Sequence, residues 1–108
     1  MTDAIDRLKR IRDQQFYMVS KNGEGHLKFK YGLTRRDVCA ILIKQNGYCD
    51  CCGVDLENTK WCIDHNHKTG AVRGLLCYGC NTGIGKLGGT LEGVQKADAY
   101  LRKHGETV

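Results

Sequence analysis

Apolar positions recur at helical spacing in three parts of the chain and at strand spacing in one. Ile5, Leu8 and Ile11 lie three residues apart in a charged segment, with Arg7, Lys9 and Arg10 elsewhere around the turn, which predicts a basic helix within residues 3–19. Ser20-Lys21-Asn22-Gly23-Glu24-Gly25 is turn chemistry and separates this arm from the rest of the chain. Val38, Ile41, Leu42 and Gln45 come next, behind Thr34 and Asp37, which form a capping box with Asp in place of Glu. With Gly47 as C-cap, they predict a helix over residues 35–46. Residues 61–66 and 71–76 read as two short strands, and Lys68-Thr69-Gly70 joins them at hairpin length. Helical character returns over 78–87, weakened by Gly79, Gly83 and Gly85. A clearer amphipathic helix spans 91–104, with the stripe Leu91, Val94, Ala97 and Leu101 between Thr90 as N-cap and Gly105 as C-cap.

These elements make an α+β chain of 108 residues, one folding unit whose apolar core is thin enough to gain from a metal clip. Lys and Arg number 17 against 12 Asp and Glu, and the net charge of +5 favours a polyanionic partner without proving one. The first residues lack a basic stretch followed by an apolar one, and no apolar run reaches membrane-spanning length, so the expectation is a soluble protein that is not secreted and has no membrane partner. Seven cysteines cannot all pair internally, and clustered thiols in a reducing cytoplasm more often hold metal.

Cys49-x-x-Cys52 and Cys77-x-x-Cys80 are two knuckles that together complete a tetrahedral four-thiolate zinc site. Cys49-x-Cys51 is also present, so the second ligand is Cys51 or Cys52; Gly53 directly behind Cys52 makes it the ordinary knuckle. A zinc held by four cysteines has no open position, so its role is structural. Cys39 and Cys62 read as small buried hydrophobes.

Between the knuckles lies Ile63-Asp64-His65-Asn66-His67-Lys68-Thr69-Gly70. Strand alternation puts His65 and His67 on one face and Asp64 on the other, so a bulge or the start of the turn has to re-aim one of them if they share a reaction. Cutting a phosphodiester takes an activated water and a divalent cation to take up charge. His65 offers a base that works near neutral pH, and Asp64 a hard oxygen ligand of the kind Mg2+ prefers. Asn81 follows the last knuckle cysteine, where the clip would set its amide oxygen beside Asp64. The bland alternatives are a solvated Asp-His face, Asn81 as a helix N-cap, and Lys68 and Arg73 as solvated cations rather than phosphate contacts. His26 and His104 read as exposed.

The segments Tyr31-Gly32-Leu33-Thr34, Gly47-Tyr48-Cys49-Asp50-Cys51-Cys52-Gly53, Asp64-His65-Asn66-His67-Lys68-Thr69-Gly70-Ala71-Val72-Arg73-Gly74-Leu75-Leu76-Cys77 and Cys80-Asn81 resemble the phage recombination endonuclease VII family, a branch of the HNH or His-Me finger nucleases. The resemblance covers most of residues 31–103. It implies a small zinc-stabilised ββα-metal (His-Me finger) domain with flanking helices over 31–108, preceded by a basic helical arm over 1–30. It also implies Zn2+ on Cys49, Cys52, Cys77 and Cys80, Mg2+ or Mn2+ on Asp64 and Asn81, His65 as general base and His67 steadying the scissile phosphate. The implied products are a 5′-phosphate and a 3′-hydroxyl. Relatives that resolve branched DNA carry a further acid after the last knuckle, where this chain has Thr82-Gly83-Ile84-Gly85 and none.

DNA is then the partner. A homodimer is raised because resolving a four-way junction takes two symmetric cuts, and the expected place of action is the cytoplasm of a bacterial host. The rivals are a zinc-finger module that binds without cutting and a degenerate HNH subunit of a larger phage machine.

Overall fold

The computed structural model describes residues 4–13 and 33–108; the predicted turn over 20–25 and His26 lie outside them. Residues 4–13 are helical (α1). The later elements are α2 (Arg35–Lys44), β1 (Trp61–His65), β2 (Val72–Cys77), α3 (Tyr78–Lys86) and α4 (Leu91–Lys103), an α+β arrangement around one two-stranded sheet. No described helix is long and apolar enough to cross a membrane.

Local chemistry sets the ends of α2. The Thr34 hydroxyl accepts from Asp37 N at 3.2 Å and the Asp37 carboxylate accepts from Thr34 N at 2.9 Å, so the capping box closes. At the other end Gln45 is the C-cap and Asn46 turns left-handed at φ 55°, ending the helix before the expected residue 46. Gly47 N donates to Leu42 O and Asn46 N to Ile43 O, which completes a Schellman motif with Asn rather than Gly in the left-handed position. Gly47, at φ 75°, serves a different end: a Cβ there would stand 2.7 Å from Arg7 Nη1 and 2.8 Å from Ile11 Cδ1. Its lack of a side chain lets α1 lie directly over this corner.

The α1 contacts are long-range. Ile11 is fully buried with Val38, Leu42, Leu56, Trp61 and Leu75. Arg7 pairs with Asp55 at 2.7 Å, donates to Asn46 O and Gly47 O, and stacks 4.4 Å from the centre of the Tyr48 ring. Arg10 pairs with Glu57 at 2.6 Å. The guanidiniums of Arg7 and Arg10 are thus turned toward carboxylates far along the chain.

β1 and β2 pair antiparallel with Trp61 opposite Cys77 and Asp64 opposite Gly74, but His65 faces Val72. Arg73 is therefore an extra residue in β2, a bulge at the level of Asp64 and His65. α3 follows β2 directly, with Cys77 as its N-cap; Asn81 lies inside the helix, so it is not the cap that one bland reading made it. α4 forms as expected between Thr90 and Gly105, yet none of its residues is buried and Leu91 is 73% exposed. Its entry is tight, since a Cβ on Gly93 would overlap the Leu87 carbonyl oxygen.

Candidate functional site

The two knuckles converge. The sulfur atoms of Cys49, Cys52, Cys77 and Cys80 all lie within 4.8 Å of one another, and Cys52 Sγ is 3.8 Å from Cys77 Sγ. A tetrahedral zinc with bonds of about 2.3 Å needs sulfur separations of about 3.8 Å, so the four thiols fit such an ion with little adjustment. Backbone N–H groups prepare the sulfurs: Cys49 Sγ accepts from Cys51 N at 3.4 Å and from Cys77 N at 3.3 Å, and Cys77 Sγ from Cys80 N at 3.4 Å. Burial alone would push the Cys49 thiol up, but the N–H groups of Cys77, Cys52 and Cys51 outweigh it and bring it down to about 6. Cys80 moves up, through burial and the neighbouring thiols of the cluster. The sulfur that joins those of Cys49, Cys77 and Cys80 is that of Cys52. Cys51 is exposed and contributes its backbone N–H instead.

The hairpin also borders a cleft of about 340 Å³ whose lining includes Asp64, His65, His67, Arg73 and Asn81. Asp64 and His65 both line it although simple alternation would part them, and the register shift between them, with Arg73 the extra residue of β2, lies at this point of the ladder. The His65 and His67 rings sit 4.6 Å apart at 46°. Asn66 organises the turn between them and Ala71: its side-chain oxygen accepts from Lys68 N and Thr69 N, and its backbone bonds to Gly70 N and Ala71 O. Lys68 is held at the exposed tip of that turn. Asn81 reaches the cleft from α3, one step beyond the cysteine cluster, and its side chain meets the thiol of Cys62. Burial pushes that thiol up, so Cys62 is a protonated group in the cleft wall. It is half-buried rather than fully buried, and so is Cys39.

Arg73, expected to be a phosphate contact or a solvated cation, has internal partners. Its Nε donates to Asp64 Oδ2 at 2.6 Å, its Nη2 to Asp64 Oδ1 at 3.0 Å and its Nη1 to Gly89 O at 3.1 Å. The bidentate bond to Asp64 raises the guanidinium above its ordinary value. Gly89 escaped the sequence reading, although Gly88-Gly89 ahead of the Thr90 cap is a legible turn signal. It is buried at φ 70°, and a Cβ there would come 3.2 Å from His67 Cδ2. One residue thus bounds the cleft against both Arg73 and His67. His104 is exposed, as expected.

The sequence matches the family model described as recombination endonuclease VII over residues 24–103. The chain belongs to the recombination endonuclease VII family. The match takes in both knuckles, the hairpin and all of α4. Similar proteins include the Gene 59 protein of Mycobacterium phage D29, 40% identical over 86 residues, which are 78% of this chain and 52% of that protein. The Gene 59 protein of Mycobacterium phage L5 is 34% identical over 84 residues, 76% of this chain and 51% of that protein. The chain spans about half the length of these curated relatives. No solved structure is a significant match.

Proposed function

We propose that this endonuclease VII family chain is a metal-dependent DNA endonuclease of the HNH, ββα-metal type, hydrolysing phosphodiester bonds to a 5′-phosphate and a 3′-hydroxyl. The observation that carries it is the meeting of Asp64, His65, His67 and Asn81 in one cleft at the bulge of a hairpin followed by a helix. Under this reading residues 31–108 form the catalytic unit and residues 1–30 an arm on it.

The four-cysteine cluster, with Zn2+, ties the start of α3 to the loop before β1 and so fixes where Asn81 stands relative to Asp64. Asp64 and Asn81 offer a carboxylate and an amide oxygen, the hard donors that suit Mg2+ or Mn2+. Such an ion, when bound, supplies Lewis-acid stabilisation of charge on the phosphate and the leaving oxygen. His65 is the base that takes the proton from the attacking water. His67, its ring tilted against that of His65 and bounded by Gly89, holds the scissile phosphate, and Lys68 at the turn tip is placed for a neighbouring one. DNA is the substrate, the bacterial host cytoplasm the setting, and a homodimer is required only if paired cuts are made. Thr82-Gly83-Ile84-Gly85 supplies no further acid, which favours nicking or double-strand cutting over junction resolution.

One observation favours a binding module that does not cut: both oxygens of Asp64 are engaged by Arg73, as in a purely structural ion pair. A cleavage assay separates the two. Supercoiled plasmid and a synthetic four-way junction are incubated with Mg2+, Mn2+ or EDTA, using wild type and His65→Ala of verified zinc content. Metal-dependent cutting that drops by roughly 100- to 10,000-fold in His65→Ala is the expected result. Binding of both DNAs with no cutting under either metal overturns the nuclease.

A further inference from the structure

Asp64 is the one carboxylate, and Arg73 the one Arg or Lys, among the described residues that line the cleft. They are joined to each other by two hydrogen bonds, and Gly89 O holds the third N–H group of the guanidinium. Every strongly charged group of the cleft is thus already paired. A divalent cation that takes an oxygen of Asp64 competes with Arg73 for that carboxylate, since the guanidinium already fills one lone pair on each oxygen and its charge repels the ion.

The pair is built so that exchange is feasible. The Asp64 side chain is only 13% exposed but that of Arg73 is 36% exposed, so the acid stays inside while the cation has a path to solvent. Arg73 also stands at the bulge, where the chain is released from the regular ladder. A planar fork that grips a carboxylate bidentately grips a phosphodiester with the same geometry, and DNA brings phosphates to this cleft under the proposed function.

We infer that Arg73 is the resident counter-cation of Asp64, released when a DNA backbone phosphate takes the guanidinium, so that divalent-metal binding and DNA binding are coupled. The inference rests on the proposed role of Asp64 as a metal ligand. Linkage makes the coupling reciprocal: DNA tightens metal binding by the same factor by which metal tightens DNA binding. Without DNA, Arg73 keeps the cleft from loading, which guards the chain against holding a competent metal site idle.

The test is an equilibrium titration with Mn2+, monitored by electron paramagnetic resonance of the free ion. Zinc-loaded chains carry His65→Ala so that DNA stays intact, alone or with a saturating short duplex. Without DNA, adding Arg73→Met is expected to tighten Mn2+ binding by roughly tenfold or more. The duplex is expected to tighten it by a similar factor when Arg73 is present and by much less when it is Met. Both effects are expected to vanish once Asp64→Asn is added. Arg73→Gln carries the same comparison if Arg73→Met fails to retain zinc. Equal Mn2+ affinities with and without Arg73, both lost on Asp64→Asn, overturn the inference and leave Asp64 as a metal ligand. Mn2+ binding indifferent to Asp64→Asn, or absent from every variant, overturns the metal assignment and the inference together.

Discussion

The side-chain amide of Gln45 pairs with the backbone of Leu75 as a neighbouring strand would: it accepts from Leu75 N and donates to Leu75 O, both at 2.9 Å. The same NH2 group donates to Tyr48 O at 2.9 Å. A residue at the C-cap of α2 thereby occupies the open edge of β2 and fixes the helix to the hairpin that carries the cleft. Gln45→Glu removes the donor and turns a carboxylate toward two carbonyl oxygens. It is expected to destabilise the fold by about 1–3 kcal/mol, read as a lower Tm with zinc content unchanged. A variant as stable as wild type would show that this edge pairing contributes nothing.

Some of this architecture was legible because its determinants are local. Thr34 and Asp37 are three residues apart and cap α2 as expected; the knuckle spacing brings four thiols together, and Cys52 rather than Cys51 completes them. What was hidden depends on partners distant in the chain. Alternation assigned Asp64 and His65 to opposite faces, yet both line the cleft, and the register shift between them depends on Arg73 in the other strand. Arg73 looked like a surface cation until Asp64 and Gly89 closed on it. Nothing near Arg7 signalled that Asp55, 48 residues away, would be its partner. The stripe Leu91, Val94 and Leu101 predicted a helix correctly, but hydrophobic period alone does not say whether a face is covered, and here it is exposed.

Cys51 and Cys52 differ sharply in what their loss should do. Cys52→Ser removes one of four converging sulfurs, so the chain is expected to lose its zinc and with it much of the order of the hairpin and α3. Cys51→Ser keeps the backbone N–H that bonds Cys49 Sγ and is expected to retain one zinc per chain. A chelator of high affinity should reproduce the Cys52→Ser phenotype on wild type, lowering Tm by well over ten degrees, given an apparent zinc contribution of order 10 kcal/mol in small zinc-dependent folds. Zinc release with a colorimetric indicator reads all three; zinc retained by Cys52→Ser would show that the cluster is not the ligand set.

The Arg7–Asp55 pair predicts an acid-sensitive attachment of α1. The hydrogen bonds from Arg7 and then from Glu57 N hold the Asp55 carboxyl below its ordinary value, so the folded pKa lies under the unfolded one, near 3.9. Its contribution is fully present above about pH 4 and is lost as pH falls through the folded value. Asp55 is 48% exposed, so screening limits the effect to at most about 1 kcal/mol. Asp55→Asn is expected to lower stability slightly at pH 7, in a salt-sensitive way, and to flatten the fall below pH 4. Identical pH profiles of Tm for the two proteins would show that the pair does not hold α1 in place.

Gly89 connects fold and chemistry most directly. At φ 70° it holds a conformation that side chains disfavour, its carbonyl anchors Arg73, and a Cβ would press on His67 Cδ2 at 3.2 Å. Gly89→Ala therefore costs about 1 kcal/mol of backbone strain and also displaces His67 or the loop that holds Arg73. Under the proposed mechanism His67 touches the phosphate, and a shift of a few tenths of an ångström there should lower kcat by about tenfold or more with zinc retained. The companion Gly88→Ala has an equally left-handed φ of 97°, but its nearest neighbour is the Thr90 hydroxyl at 3.8 Å, so it carries the strain without the contact. Comparing the two isolates the His67 contact from backbone strain: equal losses of activity would mean that loop conformation alone matters, whereas a loss confined to Gly89→Ala would tie catalysis to the placement of His67.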